Sequence, residues 1–135
     1  MPVSALPVRL HCDDGRLVPL LMDLRYDQQD PFAVLLAFYG PGGHRVQWWL
    51  SRDLLVTGSD TSAVHGDVLA WASLNGSGNE VLMVRLGSDY ANALIEIRRG
   101  PLRHRLAHTY TAVPAGSEMD RVDWRAEIRQ LVRSR

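Results

Sequence analysis

The sequence contains no lysine; all 15 basic residues are arginine. That bias fits a GC-rich genome better than it fits a function. There is one cysteine, Cys12, so no internal disulfide can form, as expected in a reducing cytoplasm. Without a base to activate it, Cys12 reads as a small strand residue rather than a nucleophile. No apolar run approaches the ~18 residues of a membrane span. The stretch from Met1 to Cys12 lacks a basic n-region and is broken by Pro2, Pro7 and Arg9, so neither a secretory signal nor membrane insertion is expected. A basic excess is missing too, since 15 Asp and Glu balance the arginines. General nucleic-acid binders usually carry such an excess. The charge is unevenly placed, however: residues 1–97 hold six Arg against eleven acids, and residues 98–135 nine Arg against four. A bipolar, neutral chain suits protein association.

What remains is an ordinary globular composition, 46% hydrophobic and 22% charged over 135 residues, expected to form one domain, 1–135. Val8, Leu10 and Cys12 alternate with Arg9 and His11, a half-buried strand. After the Asp13-Asp14-Gly15 turn, a second strand runs from Arg16 to Asp23, with Pro19 calling for an edge or a bulge. Asp27–Pro31 reads as a loop. Phe32–Tyr39 is apolar enough to be covered on both faces, and Gly40–Gly43 turns it into Arg45–Leu50. Ser51 can cap a short helix over Arg52–Thr57, with Gly58 placed to end it. Ser59–Gly66 reads as a polar loop, followed by a meander of Asp67–Leu74, Glu80–Gly87 and Ala91–Arg98. Pro101 opens a helix to about Thr109, and Ala112–Gly116 is a linker. A final helix from Asp120 or Asp123 sets Trp124, Ile128, Leu131 and Val132 on one stripe and Arg121, Arg125, Arg129 and Arg133 on the other. The expected fold is α+β: a strongly curved, barrel-like antiparallel sheet of about seven strands, a short helix after the fourth, and two C-terminal helices.

Chemistry-bearing patterns are weak. His104 and His108 share a helix face, but Arg105 stands where the zinc-protease motif has its glutamate, so no metal is expected. Asp27 with Asp30, and Asp13 with Asp14, have the setting of turns rather than acid–base pairs. Neither a G-x-S-x-G elbow nor a phosphate-binding glycine loop is present. No cofactor and no catalytic residue is expected. Trp48, Trp49, Trp71 and Trp124 are the one feature left open: core, subunit contact, or a stacking platform for single-stranded nucleic acid.

Four longer stretches carry more. LRYDQQDPFAV (Leu24–Val34), VQWWLSRDLLVTG (Val46–Gly58), HGDVLAW (His65–Trp71) and AVPAGSEMDRVDW (Ala112–Trp124) closely resemble, in order, the signature of the SsgA-like sporulation and cell-division proteins of actinobacteria. The resemblance implies a non-enzymatic regulator or scaffold of septation. Such a protein would have a whirly-like curved sheet and assemble as a homotrimer at the septum. Its expected partners are cell-division or cell-wall proteins: FtsZ, the tubulin-like division protein, or other SsgA-like proteins. Arg25, Tyr26, Asp27, Asp30, Pro31, Trp48, Gly66, Asp67 and Trp71 would then be structural signature positions. Arg25, Asp30, Arg52 and Asp53 are expected to be tied together by hydrogen bonds, and Trp49, Arg52, Asp53, Leu54 and Leu55 are the first candidates for a partner contact. The alternative expectations are single-stranded nucleic acid on the curved sheet, or a small ligand inside the barrel.

Overall fold

The computed structural model describes residues 5–88, 91–121 and 129. The chain forms two four-stranded antiparallel meanders. The first is β1 (Leu6–His11), β2 (Leu17–Arg25), β3 (Ala33–Tyr39) and β4 (Arg45–Ser51). The second is β5 (Ser62–His65), β6 (Val68–Leu74), β7 (Glu80–Gly87) and β8 (Asn92–Arg98). Helix α1 (Arg52–Asp60) joins the meanders, and α2 (Arg99–Ala112) follows the second. Pairing of β1 with β8 makes one eight-stranded sheet in the order β4-β3-β2-β1-β8-β7-β6-β5.

The strands at the two ends of that order, β4 and β5, are joined directly by α1. Eight strands laid flat would put them about 34 Å apart at ~4.8 Å per step. The nine residues of α1 span only about 14 Å at ~1.5 Å per residue. The sheet therefore has to curl, and α1 lies across the opening. The curved, half-barrel sheet expected from the sequence is what forms.

One face of each strand fills the core. Val8, Met22, Leu36, Phe38, Leu50, Leu82, Val84, Ile95 and Ile97 pack with Leu54 and Leu55 of α1 and Leu102 and Leu106 of α2. Every residue from Val34 to Phe38 is buried, so β3 is covered on both faces as its apolar run implies. Fully burying a leucine such as Leu55 contributes about 1.5–3 kcal/mol.

The differences from expectation have local causes. There are eight strands rather than seven, because residues expected as a polar loop hold β5. It pairs only with β6, turning at Gly66 and Asp67, and leaves Val64 70% exposed. An edge strand needs backbone partners rather than an apolar face, so its sequence shows no period of two. Gly58 does not end α1, which runs on to Asp60. A Cβ at Gly58 would stand 2.7 Å from that of Ala70, so this glycine serves close helix–strand packing instead. Pro19 sits in an interior strand, yet β3 pairs with β2 only from Leu21 onward. At Pro19 the sheet is locally an edge. Helix α2 begins at Arg99, earlier than the proline signal suggests, with Pro101 in its first turn. Beyond it, Pro114–Ser117 turns and Glu118–Arg121 forms a 3-10 turn that takes in Asp120. The final helix with the Trp124 stripe lies outside the described residues.

Candidate functional site

Three of the four sequence signatures converge on the first residue of α1. Ser51 caps the helix, its Oγ accepting from the Leu54 N–H at 3.2 Å, and the Arg52 N–H donates to the Phe32 carbonyl at 2.8 Å. This turns the Arg52 side chain inward, where it is only 1% exposed. A guanidinium is stable in the interior only if most of its donors are used. Among the described residues the Nε of Arg52 has no partner, and the two Nη atoms carry the contacts. Nη1 donates to the carbonyls of Thr109 (3.0 Å) and Val113 (2.8 Å), and Nη2 to Glu118 Oε1 (2.8 Å). Its plane is flanked by two rings, with Cζ 3.9 Å from the centre of Tyr110 and 5.1 Å from that of Tyr26. Cation–π contacts stabilise a desolvated arginine further.

Each partner is held in turn. Glu118 is buried, and its Oε2 accepts from the Gly116 N–H at 2.8 Å. Backbone N–H donors, together with Arg52, hold its carboxyl below the ordinary carboxylate range in spite of burial. The Tyr110 hydroxyl donates to Asp53 Oδ1 at 2.9 Å. Burial and that carboxylate push its pKa upward, so it stays protonated. The Tyr26 hydroxyl donates to the Pro31 carbonyl at 2.8 Å, closing the loop between β2 and β3 over the node.

These contacts correct part of the sequence reading. Arg52, Leu54 and Leu55 are buried in the molecule and present no surface to a partner. A capped helix lying across the sheet opening must turn exactly those positions toward the core. Arg25, Asp30, Arg52 and Asp53 are not tied to one another. Arg25 donates to Asp23 at 2.9 Å, Asp30 makes backbone turn contacts with Asp27 and Ala33, and Asp53 accepts from Tyr110. Asp27 shapes the loop, accepting from the Gln29 N–H, and Pro31 is fully buried. Trp48 packs against the core, whereas Trp49, 60% exposed, stands on the opposite face of the edge strand β4. Gly66 and Asp67 form the β5–β6 turn, and the Asp67 carbonyl accepts from the Gly87 N–H. Trp71 lies on the sheet face away from the node, while Val68 and Ala70 of the same motif pack with α1, Ala70 directly against Gly58.

A second polar cluster was not anticipated. On the sheet face away from the helices, Glu96 is 5% exposed and pairs with Arg9. It also accepts from His11 Nε2 at 2.9 Å and from the Asn75 amide at 3.5 Å. Burial opposes its ionisation, but these donors outweigh it and lower its pKa. A groove of about 400 Å³ runs from this cluster past Trp71 and Met83. The alternation of β1 puts Arg9 and His11 on a polar face. Their partner 85 to 87 positions away leaves no trace in local sequence. Among the described residues no group of three His, Cys, Asp or Glu is placed to hold a metal ion. No helix among them is long and apolar enough to cross a membrane.

A small α+β protein of this kind spends its signature residues on joining α1, the β2–β3 loop, α2 and the segment after it. Comparison with known proteins gives the class its family. Residues 20–118 match the family described as the Streptomyces sporulation and cell division protein, SsgA. The sporulation-specific cell division protein SsgB of Salinispora tropica is 37% identical over 95% of this chain and 90% of its own length. That of Streptomyces coelicolor is 33% identical over 94% and 92%. The crystal structure of an SsgA-like sporulation-specific cell division protein from Thermobifida fusca superposes with a TM-score of 0.82, at 32% identity, covering 96% of this chain and 98% of that one. An SsgB structure from work correlating its mutations with longitudinal cell division in sporulating Streptomyces coelicolor gives 0.80, at 34% identity, covering 87% and 91%. The chain belongs to the SsgA-like family of sporulation and cell-division proteins.

Proposed function

We propose that this chain is a non-enzymatic regulator of sporulation-specific cell division. It acts at the septum through protein–protein contacts and helps to position or recruit FtsZ or other SsgA-like proteins. The observation that carries this reading is the use made of the signature. Arg52, Tyr26 and the Pro31 carbonyl, together with Glu118, are consumed in an internal node and leave surface, rather than chemistry, as the output. Trp49 and Asp53 remain as partner-contact candidates, both exposed. A homotrimer is part of the same reading, and light scattering should give three chains per particle. In a pull-down with purified FtsZ, the wild-type chain should retain it and the Trp49→Ala variant should retain less. Absence of capture by the wild type would overturn the reading of FtsZ as the direct partner.

A second reading has its own observation. Trp49 and Trp71 share the sheet face away from the helices, and Trp71 borders a groove with Arg9 and His11. Single-stranded nucleic acid could stack there. Anisotropy of a labelled oligonucleotide at low and high salt decides it, since binding without salt dependence, or none, removes the idea.

A further inference from the structure

Helix α2 carries three arginines and two histidines and no acidic residue. Its N-terminal turn holds Arg99, and its cap residue Arg98 makes no side-chain capping bond. Both cations sit at the end where the helix dipole disfavours them. The acids near α2 lie to one side. Asp60 and Glu80 answer Arg99 at 2.7 and 3.5 Å, and Asp53 is taken by Tyr110. On the other side lies an open groove of about 460 Å³, lined by Leu24, Tyr26 and Gln28 from the β2 end and by His104, Arg105, His108, Thr109 and Ala112 from α2. Among the described residues Arg105 makes no ion pair, and no acid lines the groove. Asp27, next to Gln28, is occupied by its own turn. The two imidazoles meet edge to face, centres 5.0 Å apart, and both line the groove.

We propose that this groove receives a short acidic peptide segment of a partner protein, deepening and resting on the protein-contact reading above. Its volume falls in the ~300–1,000 Å³ range of ligand sites. Leu24, Tyr26 and Ala112 offer an apolar floor for one anchoring side chain. Arg105 and the histidines supply donors for carboxylates, and the Gln28 amide can pair with peptide backbone. A long polyanion suits the place less, because Asp53, Asp60 and Glu80 flank the same helix and would repel it.

The test is anisotropy with a fluorescein-labelled peptide of Asp and Glu around a central Leu, beside its Asn/Gln counterpart. The acidic peptide should bind in a salt-sensitive manner and the neutral one should not. Arg105→Glu should weaken binding about tenfold or more, as expected for losing a cation against carboxylates. His108→Ala should weaken it less, and Arg16→Glu, at the distant β1–β2 turn, should leave it unchanged. Equal binding of both peptides, no binding, indifference to Arg105→Glu, or tighter binding of a single-stranded oligonucleotide in the same groove would each overturn the proposal. The FtsZ pull-down separates the two readings. Capture of FtsZ without peptide binding sinks the groove alone, and groove-dependent peptide binding without FtsZ capture sinks FtsZ alone.

Discussion

Arg52 is the residue on which the most of this molecule depends. Its guanidinium donates to two carbonyls at the C-terminal end of α2, pairs with Glu118 and lies against the rings of Tyr26 and Tyr110. Arg52→Ala should destabilise the fold by about 3–5 kcal/mol, the usual result of removing one partner of a buried ion pair. Arg52→Lys should recover only part of that, because an ammonium cannot reproduce the planar fork or its stacking. Denaturant titration of both variants checks the order. Glu118 makes a pH prediction. Its pKa is lowered in the folded state, so its stabilising effect is complete above the ordinary carboxylate pKa of ~4.3. That effect is lost as pH falls below this value, through the lower folded pKa. Thermal melts of the wild type should weaken in that acidic window, and Glu118→Gln should flatten part of the dependence while lowering stability at neutral pH.

At the scale of elements, α1 against β6 is the closest approach. Gly58→Ala would bring a methyl to 2.7 Å from Ala70 Cβ. The helix-propensity gain of ~1 kcal/mol should then be outweighed by overpacking of ~1–3 kcal/mol, lowering the melting temperature. If Gly58→Ala raises it, the glycine is an ordinary helix position. The elements also show how far local sequence reaches. Strands with a clean period of two, the Ser51 cap and the turn at Gly40–Gly43 were all legible, because each rests on neighbours a few residues away. Strand β5 was not, since an edge strand shows no apolar face. The node was half visible: Tyr26, Pro31, Arg52 and Glu118 all stand in the signature stretches. That they meet is set by the curl of the sheet. For the same reason the Arg52 side chain turns out to be interior, and Leu54 and Leu55, inward-facing by the helix pattern, serve the core rather than a partner.

For the molecule as a whole, the curl divides labour between two surfaces. The inner face holds the core and the Arg52 node, while the outer face carries Trp49, Trp71 and the Glu96 cluster. On the function proposed above, the division role falls to exposed features, the outer face and the α2 groove, while the node maintains the scaffold.

The strand order also has a consequence for synthesis. The first meander is complete once β4 has been made, but β1 receives its second neighbour only when β8 emerges, some eighty residues after β1 itself. Until then the nascent chain carries an open strand edge, the kind of template that invites mispairing. Arg9 and His11 sit on that edge and find Glu96 only when the seam closes. A charge on a strand edge disfavours edge-to-edge pairing, and Arg9 stands directly opposite Glu96 in the closed seam. The cluster on the outer face is thus the part of the sheet that is completed last in synthesis.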